Sequence, residues 1–350
     1  MNDPRSGPAV RGGVLALLAA TLFGVSTPLV QRFGVGIGAF STAALLYAGA
    51  AIAGALLRQP AGIEARLRRT DTGRLLAIAA FGAVIGPVAL AWGLQHTSGT
   101  SASLMLTLEA LFTAVLARLF YRETMGGRVW TAMFLLLAGG AMLVVDQGRG
   151  GEARMWGLLA VLLATAAWGV DSTLSRALAE RDPGQVVLAK AATGAAATTV
   201  LAVILAEPSP TVVQALALLA IGATGYGLSL RFYLLAQRAF GAARTGSVFA
   251  FAPFIGAALA IALGDRSASG LMAAGSLLML AGVLLHLAES HGHAHEHGAI
   301  EHEHAHRHDD GHHDHTHEPM PEGEHSHEHR HAPTRHTHPH VPDAHHLHRH

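Results

Sequence analysis

The sequence contains no cysteine, and Lys190 is the single lysine among its 350 residues. The absence of cysteine excludes disulfides, iron–sulfur clusters and thiolate metal sites. Charged residues make up only 14% of the chain and the formal net charge is zero, so the composition does not indicate a nucleic-acid-binding surface. No nucleophile–base or phosphate-loop pattern appears, so the sequence does not predict an enzyme or a required cofactor.

Two regions of very different composition follow one another along the chain. Hydrophobic residues account for 51% of the sequence, and in residues 1–290 they form long runs separated by short polar breaks. After Ser290 large apolar residues almost disappear, and 23 of the 25 histidines lie between His291 and His350. The two regions therefore need separate explanations.

The first region contains ten segments long and apolar enough to cross a bilayer. A spanning helix needs about 20 mostly apolar residues, because the hydrocarbon core is about 30 Å thick and a helix rises about 1.5 Å per residue. Most of these runs are too long and too uniformly apolar for buried helices of a soluble domain. The predicted spans are 13–31, 37–57, 75–94, 100–120, 129–145, 155–176, 185–206, 212–236, 243–263 and 270–288.

Arginines are distributed unequally between the two sides of these spans. The N-terminus and every second loop carry most of them, and the remaining loops have only Arg32, Arg149, Arg154 and Arg266. Cytoplasmic loops of membrane proteins are enriched in basic residues. We therefore predict a multi-pass protein of a bacterial inner membrane, with both termini in the cytoplasm.

An internal repeat relates the two halves of the apolar region. The motif Leu22–Val25 (LFGV) resembles Ala167–Val170 (AWGV), and Leu108–Phe112 aligns with Phe251–Ile255, at a separation that stays near 144 residues. Five spans in each half is an odd number, so the second copy is predicted to be inverted relative to the first. Inverted repeats are a common architecture of secondary transporters. The alternative is a duplicated scaffold without a transport role.

Three ionisable residues lie away from the predicted helix ends: Glu109, Asp171 and Lys190. Charges inside a bilayer are costly and often mark transport pathways. Asp171 and Lys190 lie at similar depths on consecutive spans, which predicts an ion pair that is either a structural strut or part of a functional site. Glu109 has no cation at an obviously matching depth, which makes it a candidate for proton coupling or for binding a cationic substrate. The alternative for Glu109 is a neutral carboxyl group hydrogen-bonded to a neighbouring helix.

Prolines provide a second set of candidate positions. Pro28, Pro87 and Pro253 lie within predicted spans, and helix breaks at repeat-related positions free backbone groups that can bind a ligand. Pro28 lies near the position that matches Asp171, and Pro253 matches Ala110, which follows Glu109. The alternative for each proline is a packing kink.

Aromatic residues could complete a polar cavity with these groups. Tyr226 lies near mid-span within a glycine-rich run, Trp92 lies nearer one end of its span, and Tyr47 is the third candidate. The glycines around Tyr226 are equally consistent with close helix packing. We treat the three aromatic side chains as candidate substrate contacts.

The histidine-rich segment after Ser290 lacks the apolar residues needed for a core, so it is predicted to be disordered. Imidazole binds zinc, nickel, cobalt and copper(II), and alternating histidines predict several weak metal sites. Alternative roles are pH sensing and solubilisation. The candidate metal ligands are His291, His293, His295, His297, His302, His304, His306, His308, His312, His313, His315, His317, His345, His346, His348 and His350.

The assembled motifs resemble the EamA type of the drug/metabolite transporter superfamily. The resemblance covers residues 12–288 and rests on Phe23-Gly24, Trp168-Gly169, Leu108–Ala114 with Arg122-Glu123, and Gly225–Leu230. The tail is similar to that of a histidine-rich bacterial subgroup. This resemblance implies two EamA-like five-helix repeats, a site between the halves, and export of amino acids, related metabolites or drugs.

The predicted fold is an all-α membrane protein with ten transmembrane helices in two inverted repeats and a disordered tail. Its predicted regions are a cytoplasmic N-terminus (1–12), the first repeat (13–145), a periplasmic linker (146–154), the second repeat (155–288) and the cytoplasmic tail (289–350). We expect a secondary exporter of a small organic solute with a regulatory or metal-buffering tail. A divalent-metal exporter and a membrane-anchored metal sensor or store are the alternatives. The expected partners are lipid, a small-molecule substrate and transition-metal ions, with homodimerisation left open.

Overall fold

The computed structural model describes residues 6–59, 64–121, 125–178, 181–240 and 242–287, together with tail segments 291–297, 300–306, 325–331 and 334–340. The described helices are α1 Ser6–Phe33, α2 Ala39–Leu56, α3 Thr72–Ala79, α4 Gly86–His96, α5 Gly99–Met105, α6 Glu109–Tyr121, α7 Gly127–Arg149, α8 Glu152–Ser175, α9 Pro183–Ile204, α10 Val212–Ile221, α11 Ser229–Phe240, α12 Ala242–Phe249, α13 Ala252–Ala262 and α14 Gly270–Leu287. Short 3-10 helices occur at Arg69–Asp71, Leu106–Leu108 and Arg176–Leu178, and π-helical segments at Ala80–Ile85 and Gly222–Leu228.

The helices have the lengths and surfaces expected of membrane spans. In the described part of the chain, nine helical segments are long and apolar enough to cross a bilayer, and a shorter apolar helix covers Gly270–His286. Each of the ten predicted spans overlaps one of these segments. Large apolar side chains such as Phe134, Val203 and Leu277 are exposed on the outside of the bundle, as expected of helices that face lipid. The protein is therefore a multi-pass α-helical membrane protein.

Helices of one half pack mainly against helices of the other. The most extensive contacts join α2 to α9 and α7 to α14, which are pairs of repeat counterparts. α1 packs against α11, and their repeat counterparts α8 and α4 pack against each other in the same way. The pattern of packing therefore has the same internal symmetry as the sequence.

Glycine permits the close approach of α7 and α14. A Cβ atom on Gly139 would lie 2.7 Å from the carbonyl oxygen of Gly275 and 2.6 Å from a side-chain carbon of Met279. Its repeat counterpart Gly282 is similarly close to α7, where a Cβ atom would lie 3.0 Å from the Ala132 carbonyl oxygen. Small residues of this kind let membrane helices pack backbone to backbone.

Polar contacts also join the halves at both ends of the bundle. At the end where α2 terminates, Glu64 forms an ion pair with Arg238 (2.7 Å) and Asp71 one with Arg181 (3.0 Å). At the opposite end, the Glu207 carboxylate accepts hydrogen bonds from the first turn of α2, from the Phe40 (3.1 Å) and Ser41 (2.6 Å) backbone N–H groups. A carboxylate at a helix N-terminus satisfies free N–H groups and interacts favourably with the helix dipole.

Asp265 performs a similar role for α5. Its carboxylate accepts hydrogen bonds from the Thr100 backbone N–H (2.9 Å) and hydroxyl group (2.8 Å). Burial alone would raise the pKa of Asp265, but hydrogen bonds from Ser267 and Thr100 outweigh it and hold that pKa below its ordinary value. The second half therefore anchors the first turn of α2 and of α5.

The tail corrects one expectation, because four of its segments form strands: β1 His291–His297, β2 Ile300–His306, β3 His325–His331 and β4 Thr334–His340. β1 pairs with β4 and β2 with β3, both antiparallel, so the expectation of disorder is not met over these segments. The composition of the tail indicates the lack of a core, but histidine at every second position has the two-residue period of a strand.

We predict that Gly139→Ala destabilises the bundle, because its new methyl group has no space against α14. The free energy of unfolding should fall by about 1–3 kcal/mol, the usual cost of overpacking a close contact. Gly127→Ala is the matched control on the same helix, since a Cβ atom there meets nothing within 4 Å. Denaturant unfolding in detergent, followed by tryptophan fluorescence, measures both. Equal stability of the two variants would contradict the close approach of α7 and α14.

Candidate functional site

The membrane helices are interrupted at matching positions of the two halves. π-Helical segments cover Ala80–Ile85 in the first half and Gly222–Leu228 in the second, starting 142 residues apart (222 − 80). The 3-10 helix Leu106–Leu108 likewise corresponds to the break between α12 and α13, at residues 250–251. π-Helical turns are frequent at functional sites, and repeat-related interruptions mark the binding sites of transporters.

A cavity of about 80 Å³ lies between the halves, beside these interruptions. Tyr226 belongs to the second π-helical segment, Glu109 directly follows the 3-10 helix, and Phe249 directly precedes the break after α12. We call it the central cavity. Its lining consists of Phe23, Tyr47, Glu109, Trp168, Asp171, Ser172, Lys190, Gly225, Tyr226, Ser229, Leu230, Tyr233 and Phe249.

A buried ion pair forms one wall of the central cavity. The Lys190 ammonium group lies 2.5 Å from the Asp171 carboxylate, and the residues are 4% and 7% exposed. The Ser175 hydroxyl donates a weaker hydrogen bond of 3.4 Å to the other Asp171 oxygen. The ion pair expected from their matching depths is therefore present.

Glu109 lies at the first residue of α6, half-buried in the same cavity. Its carboxylate accepts a 2.8 Å hydrogen bond from the hydroxyl group of Ser172, the residue after Asp171. No cation lies within ion-pair distance of Glu109 in the described part of the chain. The cavity thus contains the Asp171–Lys190 ion pair and, beside it, the Glu109 carboxyl group. Among the described side chains, Glu109 accepts a hydrogen bond from the Ser172 hydroxyl alone.

Aromatic rings line a further part of the cavity. Phe23 contacts Trp168 at 5.6 Å between ring centroids and Tyr226 at 5.8 Å, and Tyr226 lies 5.6 Å from Tyr47. Phe23 and Trp168 are repeat counterparts, so the two halves meet at this contact. The sequence showed both rings at equivalent positions of the repeat, but we did not assign them to the site. Ser172 and Tyr233 were also missed.

The carbonyl group of Gly82 fixes two of these rings. Gly82 belongs to the first π-helical segment, and its oxygen accepts hydrogen bonds from the Trp168 indole N–H (3.0 Å) and from the Tyr47 hydroxyl group. A π-helical carbonyl normally accepts from the N–H group five residues later, which for Gly82 is Pro87, and proline has no N–H group. The interruption therefore orients the aromatic wall directly.

The other residues predicted for the site, Trp92 and the three prolines, do not line the central cavity. Trp92 is 41% exposed and stacks on His96 at 4.1 Å, so it does not line the central cavity. Pro87 and Pro253 lie in the first turns of α4 and α13, each directly after an interruption. The expected break at Pro28 is absent, because α1 continues through it to Phe33. A proline removes only one helical hydrogen bond, and packing against neighbouring helices compensates for that loss.

Metal ligands do not converge in the described part of the membrane region. Within the described residues, no three histidine, aspartate or glutamate side chains come together as a metal site would require. Of the tail candidates, His291, His293, His295 and His297 lie on β1, and His302, His304 and His306 lie on β2. The others lie outside the described residues: His308, His312, His313, His315, His317, His345, His346, His348 and His350.

Known proteins resemble this chain in sequence and in fold. The EamA-like transporter family matches the chain twice, over residues 10–145 and 155–288. An uncharacterized transporter of Methanothermobacter thermautotrophicus is 28% identical over 228 residues, which are 63% of this chain and 66%, slightly under two thirds, of the relative. A crystal structure of another protein superposes with a TM-score of 0.56 at 22% identity and covers 80% of this chain and 96% of its own, which supports the fold alone.

We predict that breaking the buried ion pair from either side destabilises the protein. Asp171→Asn or Lys190→Met leaves one buried charge without its partner, which should cost about 3–5 kcal/mol of unfolding free energy. The double variant removes both charges and should recover much of this loss. Denaturant unfolding of the parent, both single variants and the double variant gives the coupling energy. Additive losses would show that the two side chains do not act as a pair.

Proposed function

The chain belongs to the EamA-like transporter family, and we propose that it is a secondary carrier that exports a small organic metabolite or drug. The observation that supports this proposal is the central cavity, where ionisable and aromatic side chains of both halves meet at matched helix interruptions. Secondary transporters typically bind substrate at such a place, near the bilayer midplane and between their repeats.

We propose alternating access as the mechanism, with ten spans arranged as two inverted repeats. Because helix packing keeps its pattern when the halves are exchanged, the two halves can also exchange their conformations. In one state the central cavity opens to one side of the membrane, and in the other state to the opposite side. The arginine distribution favours cytoplasmic termini in a bacterial inner membrane.

The chemistry of the cavity favours a small solute with both polar and apolar parts. Glu109 can accept a hydrogen bond or attract a positive group, and the Phe23–Trp168 wall offers an aromatic surface. A cavity of about 80 Å³ is smaller than the roughly 300–1,000 Å³ of drug-binding pockets. In this conformation the site therefore has room only for a small solute.

We further propose that the tail binds divalent metal ions and has a regulatory or buffering role. Its alternating histidines supply imidazole ligands suited to zinc, nickel, cobalt or copper(II). Metal as the transported substrate is less well supported, since the described residues of the central cavity include no histidine. An organic solute therefore remains the proposed cargo.

Glu109→Gln tests the proposed coupling role. The substitution keeps the shape and hydrogen-bonding ability of the side chain but removes its charge and its proton exchange. In proteoliposomes loaded with radiolabelled amino acids or organic amines, we expect efflux by the variant to lose its dependence on an imposed pH gradient. Glu152→Gln is the control, because Glu152 is exposed and lies at the start of α8, away from the cavity lining. Full pH-dependent transport by Glu109→Gln would contradict proton coupling at this residue.

Truncation after residue 290 tests the role assigned to the tail. We expect residues 1–290 to retain organic-solute flux in proteoliposomes and to lose binding of zinc or nickel in isothermal titration calorimetry, because the candidate imidazole ligands are removed. Metal flux by the full chain that disappears with the tail would instead support the metal-exporter alternative. Metal binding by the full chain without flux of any solute would indicate a sensor or store.

A further inference from the structure

Several buried hydroxyl groups in this bundle bond to their own helix. Thr165 donates to the Val161 carbonyl (2.8 Å) and Thr198 to the Gly194 carbonyl (2.7 Å), and both residues are fully buried. This bond to the carbonyl four residues earlier is the common solution for serine and threonine in membrane helices. Such a bond avoids the free-energy cost of a buried hydroxyl group without a hydrogen-bond partner.

Four buried hydroxyls on neighbouring helices lack such a bond, as do Thr245 and Tyr226 elsewhere in the described residues. Thr27 on α1, Ser101 and Ser103 on α5, and Thr107 in the following 3-10 helix are at most 2% exposed. Within the described residues, none of their hydroxyl oxygens has a hydrogen-bond partner. Leaving several hydroxyls unpaired in one region is unfavourable, so this cluster calls for an explanation other than packing.

The four hydroxyls lie between the central cavity and a second one. The second cavity, which we call the vestibule, has a volume of about 660 Å³ and is lined in part by Pro28, Gly99, Ala260 and Asp265. α1 extends from Phe23 in the central cavity to Pro28 in the vestibule. Along the chain from the vestibule, Gly99 is followed by Ser101, Ser103 and Thr107 before Glu109 in the central cavity.

Close packing of three helices separates the two cavities. A Cβ atom on Gly256 of α13 would lie 2.8 Å from the carbonyl oxygen of Gly24 on α1 and 2.9 Å from the hydroxyl oxygen of Ser103. α1, α5 and α13 all contact one another at this level. The contact consists of small residues and of a hydroxyl that faces the glycine, so only a small separation of the helices would open it.

We propose that Thr27, Ser101, Ser103 and Thr107 line the closed section of the transport path, which opens to join the central cavity to the vestibule. This inference rests on the proposed function, because it assigns the route by which the carried solute passes between the cavities. In the open state the hydroxyls hydrogen-bond to water and to polar groups of the solute. In the closed state they have no partner, which favours opening when solute is present. The path therefore runs between α1, α5 and α13.

The absence of native cysteine makes this proposal directly testable. Thr27→Cys, Ser103→Cys and Thr107→Cys each introduce one thiol of nearly unchanged size. Membrane vesicles with the vestibule side outward are treated with a membrane-impermeant methanethiosulfonate reagent, and modified thiol is quantified against total thiol after denaturation. Thr165→Cys and Thr198→Cys are the controls, since these positions are equally buried but have paired hydroxyls. Arg32→Cys, exposed in the vestibule, is the positive control.

We expect the three path thiols to react at least about tenfold faster than the two controls, because a close-packed interior excludes the reagent. Path thiols that react no faster than the controls, while Arg32→Cys reacts readily, would overturn the proposal. Labelling requires no substrate, so it is independent of the flux assays. Organic flux without path labelling would refute the path alone, and path labelling without flux of any tested solute would refute the carrier function alone.

Discussion

The hydrocarbon interior of a bilayer supplies no hydrogen bonds, so each backbone N–H and carbonyl group within it must find a partner inside the protein. Continuous helices satisfy this requirement, and the described spans follow it over most of their length. An interruption of a spanning helix is costly unless the carbonyl groups that it frees find other partners, as those of the π-helical segments must. The Gly82 carbonyl does not remain unpaired, because it accepts hydrogen bonds from Trp168 and Tyr47. The same interaction that compensates for the interruption also orients two rings of the central cavity.

Features that depend on composition and depth could be predicted from the sequence. The spans follow from the length of the apolar runs, and the Asp171–Lys190 pair followed from two charges at the same depth on consecutive helices. The sequence did not group Glu109 with this pair, because no cation lies at an obviously matching depth; the structure places all three in one cavity, as expected when isolated charges in a bilayer share the few polar regions available. The cost of burying charge in a bilayer hardly depends on the details of packing.

Features that depend on local backbone geometry could not be predicted in the same way. Proline served as the sequence signal for an interruption, yet α1 continues through Pro28, and the π-helical segment Gly222–Leu228 contains no proline. Whether a helix accommodates a π-turn depends on the partner available to the released carbonyl, which is a tertiary property. Trp92 was predicted to contact substrate from its depth in the membrane, but depth does not show that it lies on the exposed face of α4. In a span that is apolar on every side, hydropathy does not identify the inward face.

The two halves have the same helix arrangement but differ in the charges they carry, and this difference bears on the proposed alternating-access cycle. Ser26 packs against Gly225 of one π-helical segment, and its repeat counterpart Asp171 packs against Gly82 of the other. Glu109 likewise has Ala252 as its counterpart. A fully symmetric carrier would present identical environments in its two end states, so neither state would bind the solute more tightly. Because the charged side chains here have uncharged counterparts, exchanging the conformations of the halves does not reproduce the same site. In the proposed cycle the two end states therefore have different affinities for a polar solute, which is the property that a ligand needs in order to shift the equilibrium between them.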